Sequence, residues 1–264
     1  MTLLEAVALG LVQGLTEFFP VSSSGHLVLA EALLGVNPPG VAFEVLVHLA
    51  TALSVLVLYR RRLAALVAGA VRKQRDDLRY LGLLGLASVP AALVGITLTG
   101  AIARLFDLPV LTALSLMLTG AVVYATRRLI ARGERQDPGW AGSLVVGMVQ
   151  AAALLPGISR SGVTVATALW ARTGRDVAAE FSFLLSVPAI VGASLLELPE
   201  LAGAEFRACA IELAAASLSA FAAGMVAIAL FVRWLRVGRF HRFAYYCWAV
   251  GGGYIVYALV AGWS

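Results

Sequence analysis

Leu9-Gly10-Leu11-Val12-Gln13, followed by Pro20-Val21-Ser22-Ser23-Ser24-Gly25-His26, has an echo 137 residues further along the chain. The echo reads Val146-Gly147-Met148-Val149-Gln150, followed by Pro156-Gly157-Ile158-Ser159-Arg160-Ser161-Gly162. At that constant offset Gly10 falls on Gly147, Val12 on Val149, Gln13 on Gln150, Ser22 on Ser159, Ser24 on Ser161 and Gly25 on Gly162. Each copy interrupts an apolar segment with Pro, Ser and Gly. Paired interruptions of this kind point to a binding site at the midplane of a membrane protein, because broken helices expose backbone groups to a ligand there.

Composition places the chain in a membrane. It is 61% hydrophobic with 13% charged residues and a mean hydropathy of +0.90, outside the balance of a soluble domain. Apolar runs of about 20 residues suit helices, whereas barrel strands alternate. The expected class is therefore an all-α integral membrane protein. Six runs are long enough to cross a bilayer: Val41 to Tyr59, Leu78 to Gly100, Pro109 to Thr126, Phe181 to Leu198, Ala208 to Val232 and Phe243 to Trp263. The repeated segments, Leu3 to Leu34 and Ala141 to Ala171, each hold two apolar pieces of about 15 and about 10 residues, too short to span. Each reads as a re-entrant helical hairpin, since irregular backbone at membrane depth must be buried in protein or line a wet cavity. Met1-Thr2-Leu3-Leu4-Glu5 lacks a basic region, so no cleaved signal is expected.

The basic residues orient the chain. With the loop after the first span placed in the cytoplasm, the inside holds Arg60, Arg61, Arg62, Arg72, Lys73, Arg75 and Arg79. It also holds Arg127, Arg128, Arg132 and Arg135, then Arg172 and Arg175, then Arg233, Arg236, Arg239 and Arg242. Outside lie Arg104 and Arg207, and Arg160 occupies the second break. That asymmetry obeys the positive-inside rule and puts both termini outside. The net charge of +5 is thus an orientation signal, and no nucleic-acid partner is expected. Each repeat comprises one hairpin and three spans. Three is odd, so the second repeat is expected upside down relative to the first. The result is one polytopic domain over 1–264, with pseudo-repeats 1–128 and 141–264, a linker 129–140, and hairpin tips meeting from opposite leaflets. Cys209 and Cys247 lie toward opposite faces and fit no metal or redox spacing.

The breaks gather the intramembrane polar chemistry. Gln13 and Glu17 are four apart, on one helix face, and Ser22, Ser23, Ser24 and His26 follow. The second break adds Ser159, Arg160, Ser161 and Thr164. Ionisable groups inside hydrocarbon are costly and are by default functional. Arg160 offers a planar fork for phosphate oxygens, and the N–H groups of Ser23, Ser24 and Gly25 open a helix whose N-terminus attracts anions. A carboxylate beside such a site holds a divalent cation or activates a nucleophile more often than it meets the anion. These groups suffice for phosphoryl transfer, which is mostly positioning and charge stabilisation.

Gln13-x-x-x-Glu17, Pro20-Val21-Ser22-Ser23-Ser24-Gly25-His26 and Pro156-Gly157-Ile158-Ser159-Arg160-Ser161-Gly162-x-Thr164 closely resemble the bacterial undecaprenyl-diphosphate phosphatase (bacitracin-resistance) family. That family carries (E/Q)xxxE, PVSSxGH and PGxSRSxxT motifs. The likeness extends along the whole chain, including Phe181-Ser182-Phe183-Leu184-Leu185-Ser186-Val187-Pro188-Ala189-Ile190. It implies hydrolysis of undecaprenyl diphosphate to the monophosphate, recycling the lipid carrier of peptidoglycan synthesis. It further implies a plasma-membrane enzyme whose site opens to the outer face and depends on a divalent cation such as Mg²⁺ or Ca²⁺.

On that reading Glu17 is general base or metal ligand, with Gln13 as its potential co-ligand. His26 is proton donor, base or nucleophile, and Ser23 is nucleophile or phosphate-orienting hydroxyl. Arg160 clamps the diphosphate, while Ser22, Ser24, Gly25, Ser159, Ser161 and Thr164 support it and Gln13 contacts substrate. Gln13 replaces the acidic option of the motif, which weakens metal affinity if two carboxylates hold the metal.

A transporter or flippase of a phosphorylated polyprenyl lipid is the alternative, since inverted repeats with broken helices are also a transporter design. Either a homodimer or an antiparallel fit within one chain can cover the hairpins. Glu44 and His48 form a second i, i+4 pair that either packs behind the site, tuning Glu17 or His26, or satisfies itself between helices. Glu5 and Glu31 are expected at interfaces, Pro90 and Pro188 at kinks, and the basic loop Arg60 to Arg79 against anionic membrane lipids.

Overall fold

Thr2 and Glu5 start the first helix with a reciprocal cap. The Thr2 N–H donates to Glu5 Oε2 at 2.7 Å, and the Glu5 N–H donates to Thr2 Oγ1 at 3.4 Å. This exchange satisfies donors that a helix start otherwise leaves orphaned. In the computed structural model, which describes residues 1–36, 40–106, 108–128, 135–197 and 209–260, helix α1 (Leu3–Phe18) then runs to the first break, and α2 (Ser23–Leu34) leaves it. Next come α3 (Gly40–Leu58), α4 (Arg60–Val71), α5 (Arg75–Phe106) and α6 (Pro109–Ala125). Helices α7 (Gly139–Ala152) and α8 (Arg160–Trp170) flank the second break, and α9 (Arg175–Glu197), α10 (Ala210–Arg236) and α11 (Phe243–Val260) complete the order. The only β-type pairing among the described residues is an isolated bridge between Arg135 and Thr173. The chain is an all-α membrane protein.

Five helical stretches are long and apolar enough to cross a membrane: α5, α6 with its following turn, α9, α10, and Phe240–Val260 around α11. The pair α3 and α4, bent by 72°, makes a sixth candidate. Helices α1 and α2 pack on one another, as do α7 and α8. At 1.5 Å per residue the longest of these four is about 24 Å, short of the ~30 Å hydrocarbon core. Both repeated segments therefore form pairs of short helices around a break, with the breaks where the Pro/Ser/Gly runs stand.

Two expectations need correction. The basic stretch from Arg60 to Arg79 is helical over most of its length, because Arg60-Arg61-Arg62-Leu63-Ala64-Ala65-Leu66 is rich in strong helix formers; only the turn around Lys73, at φ 57°, interrupts it. Pro90 lies inside α5 without ending it, and the non-helical residue of α5 is Leu98, at φ −119° and ψ 15°. A proline removes one ladder bond, which the rest of a long helix tolerates. Pro188 likewise lies within α9. The linker residues 129–134, Arg207, and the expected span ends at Leu198, Ala208 and Trp263 lie outside the described residues.

The chain divides into two compact units. The first comprises Met1–Phe18, Ser23–Leu78 and Phe183–Leu230. Its core joins Ala6, Leu9, Leu27, Phe43, Val47, Leu213, Ala216 and Ala220. Gly10 and Gly14 let α1 lie directly against α10. A Cβ on Gly10 would stand 2.2 Å from the Ala216 carbonyl oxygen, and one on Gly14 would stand 2.4 Å from that of Ala220. Small residues four apart on both helices provide the close approach that association in lipid requires. Ser219 Oγ to Val7 O (3.2 Å) and Ser54 Oγ to Phe221 O (2.9 Å) add hydrogen bonds between helices.

The second unit comprises Phe19–Ser22, Arg79–Ser182 and Phe231–Ser264. Helix α8 lies at its centre, buried at every position from Ser161 to Leu169. Helix α6 packs along α11, where Trp248 Nε1 donates to Met117 O at 3.1 Å. Gly147 of α7 abuts Ala87 of α5. Both cysteines are free thiols.

Candidate active site

In the first unit, three side chains meet one carboxylate oxygen. Gln13 and Glu17, one turn apart on α1, are 0% and 9% exposed. Gln13 Nε2 donates to Glu17 Oε2 at 3.2 Å. Ser23, the first residue of α2, donates its hydroxyl to the same oxygen at 2.7 Å. His48 of α3 brings Nε2 to 3.8 Å from it. His48 Nδ1 lies 2.7 Å from the Glu44 main-chain oxygen, so Nδ1–H donates there and fixes which ring nitrogen faces Glu17. The sequence places His48 beside Glu44. The structure turns its other nitrogen to Glu17 and leaves the Glu44 side chain exposed.

A hydroxyl at 2.7 Å from a buried carboxylate has the geometry of a nucleophile and its base. His26 follows Ser23 by three residues on α2 and so projects from a neighbouring position on that helix. Ser24, Gly25 and His26 are half-buried in its first turn. Gln13 Oε1 is buried with no hydrogen-bond partner. It is an amide oxygen on the side chain that also holds Glu17. Together with the carboxylate it offers two hard oxygen donors, a donor type that fits Mg²⁺ or Ca²⁺.

In the second unit the motif around Arg160 is organised from its backbone outward. Ser159 caps α8, its Oγ accepting from Gly162 N at 3.2 Å. Arg160 is the first residue of α8, and its Nη1 donates to Ser182 O at 3.4 Å. Thr164 Oγ1 lies 2.7 Å from Arg160 O and 2.6 Å from Ser182 Oγ. Ser161 Oγ donates to Phe19 O at 3.1 Å and stands 3.2 Å from Ser159 Oγ. The Cys247 thiol donates to Pro20 O at 3.2 Å. The carbonyls of the first break are thus held by side chains of α8 and α11. Ser22 ends that break at φ 67°, whereas Ser159, its repeat mate, is extended at φ −77°. The repeat therefore keeps the position of the helix start without copying its backbone.

Each unit accordingly assembles its part of the expected set: Gln13, Glu17 and Ser23 in one, Ser159, Arg160, Ser161 and Thr164 in the other. His48 joins the first group, and Ser182, Cys247 and Thr119 join the second. Of these additions His48 carried a signal as half of the Glu44–His48 pair, and Ser182 carried one through the Phe181–Ile190 stretch.

A family model described as bacitracin resistance protein BacA matches residues 6–253. The chain belongs to the BacA family. A relative named undecaprenyl-diphosphatase from Desulforapulum autotrophicum is 37% identical to this BacA-family chain, with 99% of it and all of the relative aligned. Another of that name, from Desulfosudis oleivorans, is 41% identical over 94% of this chain and 96% of its own. A third, from Syntrophotalea carbinolica, is 40% identical over 96% and 97%.

Proposed function

We propose that this chain hydrolyses undecaprenyl diphosphate to undecaprenyl phosphate and inorganic phosphate, returning the lipid carrier to peptidoglycan synthesis. Family membership over residues 6–253 and the names of its full-length relatives support the substrate. The observation that carries the chemistry is the Ser23 hydroxyl, donating at 2.7 Å to buried Glu17. Transport needs no such pair. Hydrolysis does, because cleaving a phosphoanhydride requires a nucleophile that loses a proton as it attacks.

In this reading the Ser23 oxygen attacks the terminal phosphorus while Glu17 takes its proton. The anhydride P–O bond breaks, the undecaprenyl phosphate leaves, and water then releases the phosphoryl group from Ser23 as inorganic phosphate. Gln13 holds the Glu17 carboxylate in place, and His48 closes its other side. Arg160 spreads its fork over the phosphate oxygens and neutralises charge in the transition state. His26 donates a proton to the leaving oxygen, and Ser22, Ser24 and Gly25 orient phosphate oxygens at the α2 start.

Glu17 and Gln13 Oε1 would hold a divalent cation, Mg²⁺ or Ca²⁺, whose chemistry would be charge neutralisation at the diphosphate. Loop charges support entry of the head group from the outer leaflet of the plasma membrane, with both termini outside. An apolar groove of about 310 Å³, lined by Val94, Leu98, Ala151, Leu154 and Leu155, gives isoprenoid units a bed beside the second break.

The test is phosphate release from a polyprenyl diphosphate by purified protein in detergent micelles, with and without chelator. Release that stops in chelator and returns with Mg²⁺ or Ca²⁺ is expected. Absence of release in micelles, with lipid moved intact across proteoliposomes, would overturn hydrolysis in favour of transport.

A further inference from the structure

Helix α6 presents Thr112, Ser115 and Thr119, spaced for one helix face, to the second break. Gly157 lies so close that a Cβ there would stand 2.1 Å from the Thr112 carbonyl oxygen and 2.9 Å from Ser115 Cβ, and its φ is +87°. One turn further on, Thr119 is fully buried. Its Oγ1 accepts from Ser159 N at 3.0 Å and donates to Gly157 O at 3.2 Å. A single hydroxyl therefore holds the peptide groups on either side of Ile158. Both are buried, and neither has a helical partner to fall back on.

We infer that Thr119 is a positioning residue that sets the second break and, through it, the direction in which Arg160 leaves the start of α8. The inference rests on Arg160 acting on the substrate phosphates, as proposed above. Ser159 is the cap of α8 and Arg160 its first residue, so the orientation of the Ser159 peptide decides where the Arg160 side chain begins. Gly157 has no Cβ to restrict it, so the peptide between Gly157 and Ile158 depends on its bonds: Ile158 N–H donates to Leu155 O at 3.2 Å, and the Gly157 oxygen needs a donor from elsewhere. The Thr119 hydroxyl is what holds it. The bond from Gly162 N to Ser159 Oγ fixes the helix start and the one from Ile158 N to Leu155 O closes the turn before it, while Thr119 ties both peptides to α6.

Thr119→Val keeps the shape and removes both bonds, and Thr119→Ser keeps both bonds with a smaller side chain. We expect kcat for polyprenyl diphosphate hydrolysis to fall roughly thirtyfold in Thr119→Val, in line with the ~10²-fold loss that a 1 Å misplacement brings. Thr119→Ser should stay within about threefold of the wild type, since the bonding group is retained. The decisive measurement is the cycle with Arg160→Lys. If Thr119 acts through the fork, Thr119→Val costs no more than about threefold in the Arg160→Lys background, because coupled residues are not additive. A loss of ordinary folding stability would multiply the two effects instead.

Equal losses in both backgrounds, or a Thr119→Val enzyme within about threefold of wild type, would overturn the inference while wild-type hydrolysis still stands. Should Thr119→Val not purify as folded protein, Thr119→Cys is read in the same cycle. An intermediate rate lost only when Arg160 is intact supports the role, and a wild-type rate refutes it. Failure of the wild type to release phosphate would sink the enzymatic reading itself, a separate result.

Discussion

Replacing Ser23 with alanine separates the two roles open to it. The hydroxyl lies 2.7 Å from a carboxylate oxygen that also receives Gln13 Nε2 at 3.2 Å and faces His48 Nε2 at 3.8 Å. If Ser23 only orients Glu17 or a phosphate oxygen, its removal costs one charge-assisted hydrogen bond, about 1.5–3 kcal/mol. At 1.36 kcal/mol per tenfold, that is a loss of roughly 12- to 160-fold in turnover. If the Ser23 oxygen is the atom that bonds to phosphorus, removal abolishes the path, and the loss exceeds about 10³-fold. We expect the larger loss, with KM moving little because binding rests on other groups.

The assay is steady-state phosphate release in micelles at saturating divalent cation, with thermal unfolding in the same detergent as a control for folding. A Ser23→Ala enzyme within about 150-fold of wild type would refute the nucleophile and leave an orienting hydroxyl beside an activated water. Rapid quench of wild type with a labelled terminal phosphate adds an independent reading, since the proposed route leaves a phosphoryl group on Ser23.

Glu17→Gln should abolish turnover, and activity surviving at saturating Mg²⁺ or Ca²⁺ would leave Glu17 a metal-affinity role alone. Arg160→Lys should lose most turnover, since a point charge does not reproduce a planar fork; near-normal phosphate release would remove the clamp. Gln13→Glu adds a second carboxylate at the orphaned Oε1 position and should lower the Mg²⁺ concentration giving half-maximal activity; an unchanged titration would take the metal away from this side chain. Gly14→Ala pushes a methyl to 2.4 Å from the Ala220 oxygen and 2.6 Å from Ala223 Cβ. It should lower stability by about 1–3 kcal/mol, read as a lower unfolding temperature in detergent, and an unshifted transition would show that α1 and α10 can part at no cost.

What could be read along the chain was whatever short-range physics writes there. Hydropathy fixes which stretches prefer lipid, because each residue's transfer free energy is its own. Pro, Gly and Ser interrupt a helix wherever they stand, and Gln13 with Glu17 must share a face because a turn is 3.6 residues. The class, both breaks, and the residues lining them were therefore legible, and the Ser23–Glu17 pairing lay within reach because only six residues separate them. The amphipathic α4 escaped because its three leading arginines look like a loop until the alanines after them are counted as helix formers.

Tertiary structure alone decided which distant groups hold the site. Cys247 reaches Pro20 across 227 positions, Ser161 reaches Phe19 across 142, and Thr119 reaches Ser159 across 40. No local pattern marks these pairings, since a cysteine or threonine inside an apolar helix is as content bonding its own preceding turn. Their partners are settled by which helices lie close. In lipid that depends on small residues such as Gly10, Gly14 and Gly147 meeting a matching surface, and not on any drive to leave water.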